Sequence, residues 1–220
     1  AHPFVSNPEI QILRNQLGEN SCSKVYRQQS VGKLFITREN GKYSIFSPFT
    51  PTCQLPFAND IVYDFLKNTT DGNGCTILIY VSKTILYKES FMDKFRPYIE
   101  LCAEIENAEA KNIINELQEY LGGTYRGEDK SLLLSLMQKG IVIHHGSMPL
   151  KARLLIERFV NKGYARICFA TSTLIQGINM PFDIVWIDNF RFNGNEHKKN
   201  LDLKNLIGRA GRTTNKIGNF

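Results

Sequence analysis

The sequence has no long apolar run. Of its 220 residues, 42% are hydrophobic and 22% are charged, which is ordinary for a globular protein with one sizeable core. The apolar runs are as short as 77–81 and 184–187, far below the ~20 residues of a membrane-spanning helix. The opening residues, Ala-His-Pro-Phe, do not place an apolar stretch after a basic one, so we expect no secretory signal. We therefore expect a cytoplasmic protein with no membrane partner.

The sequence also lacks cysteines at metal-ligand spacing. Its five cysteines are an odd number spread from Cys22 to Cys168, which favours reduced, buried thiols over disulfides or zinc. His144 and His145 are adjacent, but no second ligand cluster accompanies them. We therefore predict no metal site, and a buried or phosphate-facing position for the two histidines.

A phosphate-binding loop is absent as well. Such a loop has a glycine, four residues, then Gly-Lys followed by Ser or Thr. Gly32-Lys33 and Gly41-Lys42 both lack the upstream glycine and the following hydroxyl, and there is no Asp-Glu pair of the kind that holds magnesium. The sequence therefore excludes a nucleoside-triphosphatase of this type working alone.

The net charge is +6 and the pI is about 9.0. A basic excess fits a partner that carries phosphates. Many basic proteins bind no nucleic acid, so the charge alone does not decide the matter.

Short apolar runs alternate with helical patterns through most of the chain. A hairpin is predicted around Asn40-Gly41 and a helix over 59–67. Four strands are predicted at 76–81, 141–144, 165–170 and 183–187. Helical patterns cover 84–121, 130–138, the segment from Ser147 as cap to Gly163, and 201–210. The alternation predicts an α/β fold with a parallel sheet.

Polar residues follow three of these strands. They are Ser82-Lys83, His145-Gly146-Ser147 and Thr171-Ser172-Thr173. Ligands of parallel sheets gather at the loops that follow the carboxyl ends of the strands. We therefore expect these three segments to meet at one binding edge.

Two arginines stand near the end of the chain, in Gly208-Arg209-Ala-Gly-Arg212. Arginines three apart on a helical turn share one face, and arginine grips phosphate through paired N–H groups. An arginine on a γ-phosphate contributes about 10³–10⁵ in rate. The alternative is two solvated arginines on a helix broken by glycine.

A second polar stretch runs from Phe169 to Pro181, with Thr171 and Ser172 at its start and Gly177 and Asn179 further on. Hydroxyls and backbone N–H groups at the start of a helix suit a phosphate. The alternative is a polar turn with a capping threonine.

Taken in order, these segments resemble motifs IV, IVa, V and VI of the superfamily-two helicases. The segments are 77–82, 144–149, 169–181 and 208–212, and the similarity covers roughly 75–217. The nearest group is the Ski-like branch of the DEAD/DEAH-box helicases. The resemblance implies the second RecA-like lobe of such a helicase, with helices on both faces of the sheet.

The resemblance implies roles for particular residues. Arg209 and Arg212 match the motif VI arginines that reach the γ-phosphate of ATP, and four residues match positions at the nucleotide: Gly177, Asn179, Asn205 and Gly208. Asn205 stands where many members have glutamine. The positions implied at the nucleic-acid backbone are Ser82, Lys83, His145, Gly146, Ser147, Thr171 and Ser172.

The resemblance also implies a domain plan and partners. Residues 1–70 are predicted to form an N-terminal extension with a β-hairpin, and 71–220 the lobe, with a helical insertion at about 90–140 that is available to protein partners. We expect a fragment that ends after motif VI. A first RecA-like lobe would supply the phosphate loop and the magnesium ligands, and single-stranded RNA or DNA would be the partner.

Two alternatives stay open at this point. One is a nucleic-acid-binding or docking module without motor activity, which would have no need of two arginines aimed at a nucleotide. The other is a translocase that does not unwind, which uses the same motifs.

Overall fold

A computed structural model describes residues 35–39, 42–46, 60–68, 76–122, 131–172, 180 and 182–210. The chain divides into two compact units, 1–32 and 33–220, and every described residue belongs to the second. The predicted boundary at residue 70 stays a prediction.

The order of elements is that of an α/β protein. The strands are β1 (Phe35–Glu39), β2 (Lys42–Phe46), β3 (Ile77–Tyr80), β4 (Ile141–His144), β5 (Ile167–Ala170) and β6 (Ile184–Ile187). The helices are α1 (Ile61–Asn68), α2 (Lys83–Tyr87), α3 (Phe91–Lys94), α4 (Arg96–Ile99), α5 (Ala108–Tyr120), α6 (Leu132–Gln138), α7 (Leu150–Asn161) and α8 (Glu196–Ile207). No helix in these described ranges is long and apolar enough to cross a membrane.

Strands β3 to β6 form one sheet with the order β4-β5-β3-β6. Every neighbouring pair is parallel, with Ile77 opposite both Ile167 and Ile184. The parallel sheet predicted from the alternating pattern is confirmed. The predicted hairpin is confirmed too, because β1 and β2 pair antiparallel from Phe35↔Phe46 to Glu39↔Lys42.

The sheet is covered on both faces, although its edge strand β6 is only partly buried. Side chains of a strand point alternately to its two faces, and Leu78 and Tyr80 lie in one apolar cluster while Ile77 and Ile79 lie in the other. Helices α5 and α7 cover the first face, and α1, α3 and α4 cover the second. Burial on both faces explains why the strands are continuous apolar runs.

The segment 84–121 was predicted to be largely helical, but the structure divides it. Glu89 has a φ of 57° between α2 and α3, Pro97 lies in the first turn of α4, and 102–107 is not helical. Only α5 runs for 13 residues, with the Asn107 side chain accepting a bond from Ala110 N. The breaks let three short helices turn apolar residues onto the same sheet face.

Charged and polar pairs join the exposed side of α5 to the residues that follow α7. Glu109 accepts a hydrogen bond from the Tyr164 hydroxyl (2.6 Å) and lies 3.1 Å from Lys162 Nζ. The Tyr164 hydrogen bond, with that of Lys162, lowers the pKa of the Glu109 carboxyl. Helix α5, from the predicted insertion, is therefore a packed layer of the domain.

Two of the cysteines lie in described segments. Cys102 and Cys168 are buried, free thiols, as predicted. Burial raises the pKa of Cys102 to about 11 and also raises the pKa of Cys168. Neither thiol is therefore a nucleophile at neutral pH.

Candidate functional site

The three predicted loops meet at the carboxyl edge of the sheet, because β5 lies between β4 and β3. Val81 N donates to Ala170 O (3.0 Å), which ties the end of β3 to the end of β5. Thr171 N donates to His144 O (3.3 Å), which ties β5 to β4. The residues that follow the three strands therefore form one continuous surface.

The segment after β3 begins a short helix. Ser82 caps α2, its side-chain oxygen accepting a bond from Ile85 N (3.3 Å). Lys83 is the first residue of that helix and is exposed. The cap fixes the backbone from which the Lys83 ammonium group reaches the edge.

The segment after β4 differs from the prediction in one respect. Ser147 was expected to cap the next helix, but α7 begins at Leu150 with Pro149 at its cap position. The Ser147 oxygen instead accepts a hydrogen bond from the Tyr87 hydroxyl (2.9 Å). Gly146 is exposed and His145 is half-buried. The loop is thus held to α2, the helix that carries Lys83.

The segment after β5 starts with a buried hydroxyl. Thr171 is 1% exposed, and its Oγ1 has no hydrogen-bond partner among the residues that the structure describes. Ser172 is exposed. The motif V residues Gly177 and Asn179 lie outside the described residues.

An open cleft of about 810 Å³ lies at this edge. Four of the predicted site residues line it: Ser82, Lys83, Thr171 and Ser172. The charged residues that sequence reasoning missed are Lys94, Asp188, Arg191, Lys198 and Asp202. Asp188 and Arg191 follow β6, the fourth predicted strand of the sheet. They would have been predicted if the loop after this strand had been considered together with the loops after the other three.

The charges in the cleft are predominantly basic. Four cations, Lys83 among them, face two carboxylates. The Asp188 carboxylate pairs with Lys94 Nζ at 2.7 Å, which leaves the cleft positive. Burial, together with Asp202, raises the pKa of Tyr80, whose ring stacks on Phe192 with centroids 5.5 Å apart. The surface suits an anion with apolar parts.

The motif VI region follows α8. That helix starts at Glu196, five residues before the predicted start, and Asn195 caps it by accepting a bond from Lys198 N (2.9 Å). Asn205 is exposed on the last turn. The helix ends at Ile207 with Gly208 at its C-cap, so Arg209 follows the helix and does not lie on its last turn.

Arg209 is buried, with 5% of its surface exposed. Its backbone N–H bonds to Leu206 O (3.1 Å), and the next residue, Ala210, pairs with Phe182 in a parallel bridge. The alternative of a solvated arginine is therefore wrong for Arg209. Arg212 lies outside the described residues.

His144, the last residue of β4, has no exposed surface. Its Nε2 is 3.6 Å from Glu157 Oε1, and neither ring nitrogen has a hydrogen-bond partner in the described part of the chain. Burial first, then Arg153, His145 and Arg209, lowers the His144 pKa to about 4. The ring is therefore neutral at pH 7, in agreement with the predicted buried position.

We expect this histidine to make the fold sensitive to acid. An unfolded histidine has a pKa of about 6.5, so the unfolded state binds more protons between pH 6.5 and 4. The neutral histidine therefore makes its full contribution to the free energy of unfolding above about pH 6.5, and this contribution is lost as the pH falls toward 4. Between pH 7 and pH 5 the free energy of unfolding should fall by about 2 kcal/mol. Urea unfolding at both pH values should show this loss in the parent, and a smaller one in His144→Leu. The exposed-site variant His197→Gln is the control, and an unchanged pH dependence in His144→Leu would contradict the assignment.

The parallel sheet, the helices on both faces and the loops at the carboxyl edge are those of a RecA-like lobe. The model of the family described as "Helicase conserved C-terminal domain" matches residues 98–214, which is more than half of the chain. The chain therefore belongs to this family. It is a second RecA-like lobe of the superfamily-two DEAD/DEAH-box helicases, in the Ski-like branch.

Individual relatives agree with this placement. The chain is 26% identical over 181 residues to the ATP-dependent DNA helicase Hel308 of Pyrococcus horikoshii, covering 81% of this chain and 22% of that protein. It is 41% identical over 86 residues to the Hachiman protein HamB of Bacillus cereus (39% and 8%). It is 33% identical over 81 residues to the antiviral helicase SKI2 of Saccharomyces cerevisiae (36% and 6%). The chain thus spans about a fifth or less of these relatives.

Proposed function

We propose that this chain is the second lobe of an ATP-driven nucleic-acid motor. ATP would lie between it and a first lobe that holds the phosphate loop and the magnesium ligands, so the chain alone would hydrolyse no ATP. The observation that carries the proposal is the meeting of the three strand-end loops, Lys83 included, at one edge of the sheet. Arg209 directly follows α8 and is buried. Its burial favours a fixed side chain over a solvated one.

The nucleotide would be gripped from this side by motif V and motif VI. Arg209 and Arg212 would reach the γ-phosphate, with Gly177, Asn179, Asn205 and Gly208 beside the nucleotide. Each arginine would stabilise the charge that develops during phosphoryl transfer. Closure of the lobes would complete this site, and opening would follow hydrolysis.

The nucleic acid would lie along the carboxyl edge. Lys83, the loop His145-Gly146-Ser147, and Thr171 with Ser172 would contact the sugar-phosphate backbone of a single strand. Such contacts do not depend on sequence and weaken as salt rises. Movement of this grip relative to that of the first lobe, once per ATP, would step the protein along the strand.

Several further features belong to this proposal. We expect a cytoplasmic protein, a domain boundary near residue 70, and protein partners on the exposed side of the segment 90–140. A docking module without motor activity and a non-unwinding translocase are the alternatives. The first would need no arginine at a nucleotide, and the second would step without separating strands.

Nucleic-acid-stimulated ATP hydrolysis tests the proposal. The intact protein, with its first lobe, would be assayed with single-stranded DNA, single-stranded RNA and neither, beside Arg212→Ala. DNA comes first because Hel308 is named a DNA helicase. We expect one polymer to stimulate hydrolysis and the variant to lose it. An intact protein without stimulated hydrolysis would favour the docking module, and stimulated hydrolysis without strand separation would favour the translocase.

A further inference from the structure

Tyr87 is an exposed aromatic residue at the binding edge. It is the last residue of α2, and 56% of its surface is exposed. Lys83 is four residues earlier on the same helix, and residues four apart lie on the same face. An exposed tyrosine therefore stands beside the cation that we assign to the nucleic-acid backbone. No motif of the sequence analysis included it.

The ring of Tyr87 is fixed from the neighbouring loop. Its hydroxyl donates to Ser147 Oγ (2.9 Å) and lies 3.4 Å from His145 Nδ1. The rings of Tyr87 and His145 are 5.3 Å apart and tilted by 58°. An aromatic side chain already held in place loses little conformational freedom when it binds a partner. Tyr87 is thus a preorganised surface between two of the three loops.

The surroundings of the ring suit a nucleobase. Tyr87 and His145 both line a second cavity, of about 310 Å³, whose other walls are largely apolar, among them Leu133 and Met148. Burial and then Lys83 lower the pKa of His145, so its ring is uncharged at neutral pH. A flat, weakly polar base could therefore be buried against the ring, while the phosphates of the same strand stay near Lys83.

We propose that Tyr87 stacks against one base of the single strand whose phosphates lie along Lys83 and the loop 145–147. This inference rests on the proposed function, because it assumes that the strand follows this edge. Stacking on an aromatic ring is tolerant of sequence, since every base has a π face. Tyr87 would hold one base in a fixed position during each step, whichever of the bases it is.

The competing explanation is a brace, in which Tyr87 only ties α2 to the loop after β4 through its hydroxyl. Three variants of the intact protein separate the two roles. Tyr87→Phe keeps the ring and removes the hydroxyl, whereas Tyr87→Leu and Tyr87→Ala remove the ring. Affinity would be measured by fluorescence anisotropy with the strand that stimulates hydrolysis, and with the same strand carrying one abasic site at successive positions.

We expect Tyr87→Leu and Tyr87→Ala to bind the intact strand about tenfold more weakly, and Tyr87→Phe to bind within about twofold of the parent. One abasic position should weaken the parent and leave Tyr87→Leu unaffected. Thermal unfolding should be unchanged, because the side chain is exposed.

Two results would overturn the inference alone: Tyr87→Phe binding as weakly as Tyr87→Leu, which is the brace, or an abasic scan with no position that depends on Tyr87. A parent that binds neither DNA nor RNA would overturn the proposed function as well.

Discussion

Replacing Arg209 by alanine should lower nucleic-acid-stimulated ATP hydrolysis by the intact protein about 10³-fold or more. A guanidinium group placed on the γ-phosphate stabilises charge that grows in the transition state, and no water molecule supplies an equivalent. Because Arg209 is 5% exposed and directly follows α8, we expect its side chain to be positioned before ATP binds. The loss should therefore fall mainly on kcat, with a smaller change in KM.

The controls separate catalysis from folding. Arg209→Lys keeps the charge but loses the fork of N–H groups, so we expect it to recover little activity. Arg191→Ala removes an exposed arginine from the open cleft at the carboxyl edge, which Arg209 does not line, and should retain most of the hydrolysis. Thermal unfolding of Arg209→Ala shows whether a buried arginine was needed for stability. If Arg209→Ala and Arg212→Ala both hydrolyse ATP like the parent, the motif VI assignment is wrong.

The sheet could be predicted from the sequence because each of its strands is a short apolar run between turn residues. Burial on both faces demands such runs, and alternation with helices demands parallel pairing. Periodicity does not reveal which strands are neighbours. The order β4-β5-β3-β6 places the loop after β6 beside the loop after β3, and only the fold brings Lys94 of α3 to Asp188, 94 residues away.

Helix boundaries were harder to predict for local reasons. The segment 84–121 keeps apolar residues at helical spacing across its breaks, because all three short helices face the same sheet. The start of α8 was missed because 196–200 is Glu-His-Lys-Lys-Asn, which has no apolar periodicity. The capping signal was nevertheless present in Asn195, whose side chain accepts from Lys198 N.

Candidate site residues could be named where a residue type favours one kind of ligand. An arginine beside glycines and a lysine after a strand favour an anion, and the alternative for each is a solvated side chain. Tyr87 gave no such signal, because a tyrosine inside a helical pattern is usually a packing residue. Only its exposure and its bond to Ser147, 60 residues away, distinguish it from a core residue.

Replacing Phe95 by alanine should destabilise the fold by about 3–5 kcal/mol. Phe95 is 1% exposed and lies between α3 and α4. Its ring centroid is 5.4 Å from Phe169 on β5 and 5.4 Å from Trp186 on β6. The two strands lie on opposite sides of β3, so one ring spans the centre of the sheet. Removing the Phe95 ring leaves a cavity. The neighbouring strands cannot move to close this cavity, because strand pairing fixes their backbone.

Urea unfolding at neutral pH measures this effect, with Phe190→Ala as the matched control. Phe190 is 69% exposed, so its loss should change the free energy of unfolding by no more than about 0.5 kcal/mol. Phe95→Leu fills part of the cavity and should fall between the two. The short helices α3 and α4 are held to the sheet by such contacts rather than by their own length, because helices of four residues are not stable alone. A Phe95→Ala variant as stable as Phe190→Ala would mean that the segment 91–99 is not a packed layer of this domain.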